Sequence, residues 1–408
     1  MSILMKFINI RRNGVSDGLY ISAEEAAERL GVSVTTLYAY VSRKGIRSQR
    51  VPGSRRRRYW KSDIDRVVGV GSPQTPARAG GLSRDTEITL ITKDGPYYRG
   101  QSATALSRTS TLEETAALLW RAEAAEVFTE TLPQAPPHLA AHLKLLAGAS
   151  AADRATALFP FIEIANPRSY DLSHAGMGRT GADVLRWYAA MLTKAPAPHS
   201  DPLHVTLARG LAVSDLWADL IRRVLVLSAD HGFEPGTYAV RAVASTGVTA
   251  YRSVLTGLSV TMGRRTRIGR FQGLARLLGE IAEAADSQDP IVQRLRGGED
   301  LPGFGSNLYA TGDPRAREML QQLEIVLEGD DDFRKLKRAV NAVREFRGLE
   351  PDFALTNLYI ARRVGLDGND SFFPLGRAAG WIAHSIEQYE VGTVIREPAM
   401  YTGPLPES

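Results

Sequence analysis

Four consecutive arginines, Arg55 to Arg58, follow a Pro52-Gly53 turn signal in the stretch QRVPGSRRRRY, residues 49–59. Two extended arms about such a turn make a β-hairpin. Four adjacent cations on it suit a polyanion such as a nucleic-acid backbone. Upstream, Thr35, Thr36, Tyr38 and Tyr40 offer hydroxyls that can reach phosphates or base edges. A second cationic cluster, Arg264, Arg265 and Arg267, either clamps a phosphate or a tricarboxylate or is no more than a solvated loop. Cysteine is absent, which excludes thiol nucleophiles, thiolate metal sites and a disulfide framework.

The elements that must position the first group are legible around it. Ser22 with Glu25 three residues later is a capping box opening a helix over 23–30, which Gly31 ends. Ser33 caps a second helix over 34–43, and two short helices about a tight glycine turn are helix-turn-helix geometry. Ser62 with Asp65 predicts a third helix over 63–68, so the hairpin becomes a wing between the second and third helices. The run SAEEAAERLGVSVTTLYAYVSRKGI, followed by GSRRRRYWKSDID, resembles the DNA-binding modules of MerR-type and excisionase-type regulators over about 50 residues. The resemblance implies DNA as a partner. The bland alternative is a helical domain that docks on protein, with its arginines solvated.

Charge divides the chain in the same place. Residues 1–78 carry 15 Lys and Arg against 6 Asp and Glu, a net of +9, whereas the rest nets −4. A basic head on a slightly acidic body points to a polyanion partner for the head alone. The stretch GVGSPQTPARAGG, from residue 69, cannot build a core and reads as a flexible linker over 69–80. The winged head thus occupies 1–68 and the body 81–408. Hydrophobic residues at 44% give 408 residues ample material for a large core without metal or disulfide staples. Helical patterning covers 112–124, 151–158, 213–227, 271–284 and 314–327, with strand-like alternation only at 87–93 and 393–401. The expected fold class is mainly α. The short apolar stretch within residues 1–13 precedes its arginines, the wrong order for a signal peptide. No apolar run approaches the ~20 residues that span a membrane, so a cytoplasmic location is expected.

Along the body, YYRGQSATALSRTSTLEETAALLW (97–120), ADHGFEPGTYAVRAVASTG (229–247), GFGSNLYATGDPRA (303–316), LGRAAGWIAHSIEQ (375–388) and IREPAMYTGP (395–404) resemble five segments of the citrate synthases, in the family's order. The resemblance implies an all-α, two-domain homodimer. It sets a large domain at about 81–266 and 358–408 and a small one at about 267–357. It further implies condensation of oxaloacetate with an acyl-CoA, without a metal or tightly bound cofactor. That chemistry needs a carboxylate to take a proton from the thioester's methyl group and donors to stabilise the enol and polarise the ketone.

Carried over residue by residue, His231 falls at an oxaloacetate-contacting histidine, Arg315 and Arg377 at two carboxylate-binding arginines, and Arg396 at a surviving arginine of the closing segment. Asp352, in EPDF, falls at the catalytic base, with a simple helix cap as its alternative. Thr266 stands where the family's GPLHGG loop has histidine, and Ser306 where GxGH has histidine. The second arginine of the closing RPR is Pro398. The alternative is that another residue substitutes, with His174 and His204 the upstream histidines in helical surroundings that could do so, although neither lies in a matching motif. Both imidazole donors for bond formation are missing while the carboxylate contacts remain.

The primary reading is a metabolite-sensing transcriptional regulator that binds oxaloacetate, citrate or acyl-CoA in its body and DNA through its head. The alternatives are an active citrate or 2-methylcitrate synthase with atypical donors, and an inactive partner subunit of such an enzyme.

Overall fold

A computed structural model describes residues 20–51, 53–68, 85–263, 265, 268–366, 370–396 and 401–404. The linker, the amino-terminal stretch, Pro52, Arg264, Thr266, Arg267 and Pro398 therefore lie outside the described residues. The chain divides into two compact units, residues 1–81 with 396–408, and residues 82–395.

The first unit is a winged helix-turn-helix. Helices α1 (Ala23–Leu30) and α2 (Val34–Lys44) begin where Ser22 accepts from the Glu25 N–H and Ser33 from the Thr36 N–H, both at 3.1 Å. Each ends on a left-handed glycine, Gly31 and Gly45, which closes the helix without a Cβ penalty. Strands β1 (Tyr20–Ile21), β2 (Ser48–Arg50) and β3 (Arg57–Trp60) form an antiparallel sheet with β3 in the centre. Its core is Ile21, Ala26, Ala27, Leu37, Ile46, Tyr59 and Ile64.

Two expectations change here. Helix α3 (Lys61–Val68) starts before Ser62, so the expected cap pair falls inside it. The reason is tertiary: Asp63 takes the backbone N–H (2.8 Å), Nε (2.9 Å) and Nη2 (3.0 Å) of Arg47, and Asp65 pairs with Arg29 at 3.1 Å. The carboxy-terminal residues, assigned from the sequence to the body, group with this unit. Arg47 donates from Nη1 to the Gly403 carbonyl (2.7 Å) and from Nη2 to that of Tyr401 (2.6 Å). Its guanidinium lies over the Trp60 and Tyr401 rings. The described parts of 393–404 form no strand.

The second unit is helical apart from one small antiparallel sheet, β4 (Thr89–Thr92), β5 (Gly95–Tyr98) and β6 (Gln101–Ser102), in that order. The alternation at 87–93 becomes β4. The helical segments appear as Leu112–Trp120 with Ala124–Val127, Ala151–Ala165, Asp215–Ser228, Ile268–Glu283 and Pro314–Val326. One apolar core runs through most of the unit. A smaller cluster of Leu277, Ile281, Ile291, Leu301, Ala339 and Val343 lies within 267–357.

Three features fix the ground on which the site is built. Tyr98 buries its hydroxyl within hydrogen-bonding distance of the carbonyls of Val226 (3.1 Å), Leu227 (3.3 Å) and Asp230 (3.1 Å), tying the sheet to the end of helix Asp215–Ser228. Helix Phe373–Glu390 lies against that same end. A Cβ on Gly376 would stand 2.6 Å from the Leu225 carbonyl oxygen, and one on Gly380 2.3 Å from that of Ala229, so only glycine permits the approach. Gly303, at φ +88°, opens a loop that pairs with the segment before helix Phe353–Arg363: Gly305 N–H donates to the Glu350 carbonyl and Asp352 N–H to that of Gly303, both at 2.8 Å.

Candidate functional site

His231 follows helix Asp215–Ser228 by three residues, with Nε2 2.7 Å from the hydroxyl of Tyr309 on the glycine-bounded loop. Burial pushes its pKa down from 6.5 to about 2, and the positive charges of Arg315 and Arg377 add to the effect. The imidazole is therefore neutral at physiological pH. Burial likewise raises Tyr309 to about 12, so its hydroxyl keeps its proton. Arg315 and Arg377 act on the same ring, so the structure brings together the three residues expected to hold a carboxylate.

The linkage sign follows from the depressed histidine. Unfolded chain takes up a proton near pH 6.5, whereas the folded chain resists until about pH 2. Stability is thus present above pH 6.5 and lost as pH falls, by at most about 1.4 kcal/mol per pH unit. His231→Gln is expected to flatten the fall in melting temperature between pH 6.5 and 5. An identical fall in both proteins would show that this ring titrates normally.

Each arginine already has a carboxylate. Asp313 caps helix Pro314–Val326 and holds Arg315 through Nε (3.1 Å) and Nη2 (2.7 Å), with the guanidinium 4.7 Å over Phe353. Arg377 donates from Nε to the Ser228 carbonyl (2.9 Å), and its Nη1 stands 3.1 Å from Oε1 of Glu234.

Asp352 serves as the N-cap of helix Phe353–Arg363, its Oδ1 accepting from the Leu355 N–H at 3.1 Å. Burial, helped by the negative Asp313, raises its pKa against the opposing pull of the Leu355 N–H and of Arg315. A helix cap and a carboxylate with raised proton affinity therefore coexist in one residue. Ser306 is exposed, and its Oγ accepts from the N–H groups of Leu308 (3.1 Å) and Tyr309 (3.2 Å) of its own loop. Thr266 lies outside the described residues, and Arg265 is exposed. Arg396 is exposed and belongs to the other unit. His174 is bound to Glu390 at 2.7 Å, and burial lowers the pKa of His204.

Sequence reasoning missed a chain beside His231 in which Asp230, His384 and Arg241 are fully buried and Glu387 is partly exposed. Glu387 pairs with Arg241, whose Nη1 donates to Nδ1 of His384 at 3.2 Å; His384 Nε2 then faces Asp230 Oδ1 at 3.3 Å. Because Arg241 can only donate, the His384 proton is assigned to Nε2, facing Asp230. Burial would raise the Asp230 carboxyl, but His384 and Arg377 outweigh it and hold it below the usual range. His384 stands two helical turns after Arg377 on the same helix face, a spacing visible in the sequence.

On the head, Thr35, Thr36 and Tyr38 are exposed, although Thr36 also bonds Ser33 at 2.8 Å. Tyr40 is half-buried against the head's core. Arg55 to Arg58 are all exposed, and Arg57 donates to Ser48 Oγ at 3.0 Å. Exposed Arg50 stands directly opposite Arg57, a cationic neighbour the sequence reading had not included. Like charges so placed disfavour the strand pair, which a bound polyanion relieves.

A family model described as "Citrate synthase, C-terminal domain" matches residues 79–398, and one described as "Helix-turn-helix domain" matches residues 20–68. The citrate synthase of Haloferax volcanii is 30% identical over 204 residues, 48% of this chain and 53% of that protein. The 2-methylcitrate synthase of Shewanella oneidensis is 28% identical over 205 residues, 49% and 54% of the two chains. The chain thus spans about half the length of the curated relatives it matches. The crystal structure of citrate synthase from Thermotoga maritima superposes with a TM-score of 0.64 at 20% identity, covering 81% of this chain and 96% of that one. The Thermoplasma acidophilum citrate synthase in ternary complex with carboxymethyl coenzyme A and oxaloacetate gives 0.65 at 20% identity, over 83% and 97%.

Proposed function

This chain belongs to the citrate synthase family, and from that premise we propose that it is a metabolite-sensing transcriptional regulator of the cytoplasm. Its body binds a di- or tricarboxylate or an acyl-CoA, its helix-turn-helix head binds DNA, and the protein pairs as a homodimer that presents two heads to a palindromic site. The observation that carries this reading is Ser306. It stands where the resemblance puts a polarising histidine, its oxygen accepts from two loop N–H groups, and its hydroxyl cannot deliver a proton near pH 7 as imidazole does, beside a retained set of carboxylate contacts.

A ligand that binds only the folded state must stabilise it, by about 2.7 kcal/mol at 100 times Kd. Thermal melts with citrate, oxaloacetate, acetyl-CoA and propionyl-CoA side by side are expected to show a rise for at least one carboxylate. Arg377→Ala is expected to abolish that rise. A carboxylate-induced shift that survives in the variant would place the ligand elsewhere.

The second reading, an active citrate or 2-methylcitrate synthase, is favoured by Asp352, whose raised proton affinity suits a base.

A further inference from the structure

Glu234 is the N-cap residue of helix Pro235–Ala244, yet its side chain makes no capping hydrogen bond. A polar residue at that position ordinarily accepts from the first free N–H groups of its own helix. Here the carboxylate goes elsewhere: Oε1 lies 3.1 Å from Arg377 Nη1 and accepts from Trp381 Nε1 at 3.3 Å. Gly236 leaves the room for this, since a Cβ there would come within 3.0 Å of the same oxygen and 3.3 Å of Trp381 Nε1.

The two arginines of the site are therefore countered in different ways. Asp313 grips Arg315 with both oxygens and is 3% exposed, a fixed partner. Glu234 meets Arg377 through one oxygen and is 26% exposed, so it can turn to solvent when a ligand carboxylate takes its place on the buried guanidinium. Arg377 itself is held at Nε by the Ser228 carbonyl, and it stays in place whether or not the glutamate does.

We infer that Glu234 is an internal, displaceable counter-ion that occupies Arg377 and sets how many carboxylates the site accepts. The inference rests on the reading of this site as a carboxylate site and adds its specificity. A ligand carboxylate reaches Arg377 only by displacing Glu234, and whatever part of the ligand lies near Glu234 meets a like charge. Highly charged ligands are bound weakly, and a response appears only when they are abundant.

The test is calorimetric titration of the full-length protein with citrate and with oxaloacetate. Glu234→Gln removes the charge but keeps an oxygen for Trp381, with Glu234→Ala as a second neutral variant should the first melt early. Loss of an internal competitor for a charge-assisted bond is expected to tighten binding about tenfold or more, more for citrate than for oxaloacetate. Glu234→Asp keeps the charge and is expected to stay near wild type. If neutral variants bind citrate no better than wild type while Arg377→Ala loses binding, the counter-ion role is overturned and the carboxylate site stands. If neither wild type nor the neutral variants bind a carboxylate, both fall.

Discussion

Purified protein supplied with oxaloacetate and either acetyl-CoA or propionyl-CoA is expected to release CoA at least about 10⁴-fold more slowly than an enzyme turning over at about 1–10³ per second. A missing acid, base or oxyanion donor costs about 10²–10⁴ in rate, and on the proposed reading the two positions that the resemblance gives to imidazoles hold Thr266 and Ser306. A neutral hydroxyl can donate a hydrogen bond but cannot deliver a proton near pH 7 as imidazole does. The Ser306 oxygen accepts from two backbone N–H groups, which holds it in its loop and leaves a single neutral O–H to donate. The loss is expected despite Asp352, since a base that forms an enolate without donors for its oxygen has formed nothing stable. Ser306→His alone is not expected to restore activity with the other imidazole still absent. Condensation at an ordinary rate in a coupled CoA-release assay would defeat the sensor reading and establish an enzyme with unrecognised donors.

The second large effect concerns the head. Replacing Arg55, Arg56, Arg57 and Arg58 together by Ala is expected to reduce the slope of log affinity against log salt by about 3.6, because each neutralised phosphate contributes about 0.9. Between 50 and 200 mM salt that slope difference amounts to about 10²-fold in affinity. The four side chains are exposed, with Arg50 joining them across the hairpin. Core residues Leu37, Ile46, Tyr59 and Ile64 are untouched, so the head is expected to remain folded. DNA titrations that give the same slope and affinity for variant and wild type would show that the wing faces away from the duplex. They would leave α2, with Thr35, Thr36 and Tyr38, as the contact surface.

What the sequence determined by itself is the part whose physics is short-range. Ser22, Ser33 and Gly31 act on backbone groups within four residues, so α1, the start of α2 and the turn between them were legible before any coordinate. The same holds for the hairpin and for the amphipathic helices of the body. His231, Arg315 and Arg377 were named because each falls in a segment that carries the resemblance, and the fold places both arginines where their charges act on the His231 ring.

Tertiary structure decided which charged group answers which. Asp63 reads as part of a helix start, but Arg47, sixteen residues away, offers three donors and takes it. Glu234 reads as a residue before a proline helix, and only the packing of helix Phe373–Glu390 gives it Arg377. Buried Asp230, His384 and Arg241 form one chain that ends on partly exposed Glu387, although 146 residues separate Arg241 from Glu387. A buried charge must find a partner whatever its distance in sequence, because leaving it unpaired costs several kcal/mol. The requirement is visible in the residue type, but the partner is chosen by the packing of helices whose apolar faces carry no record of which charges they will bring together.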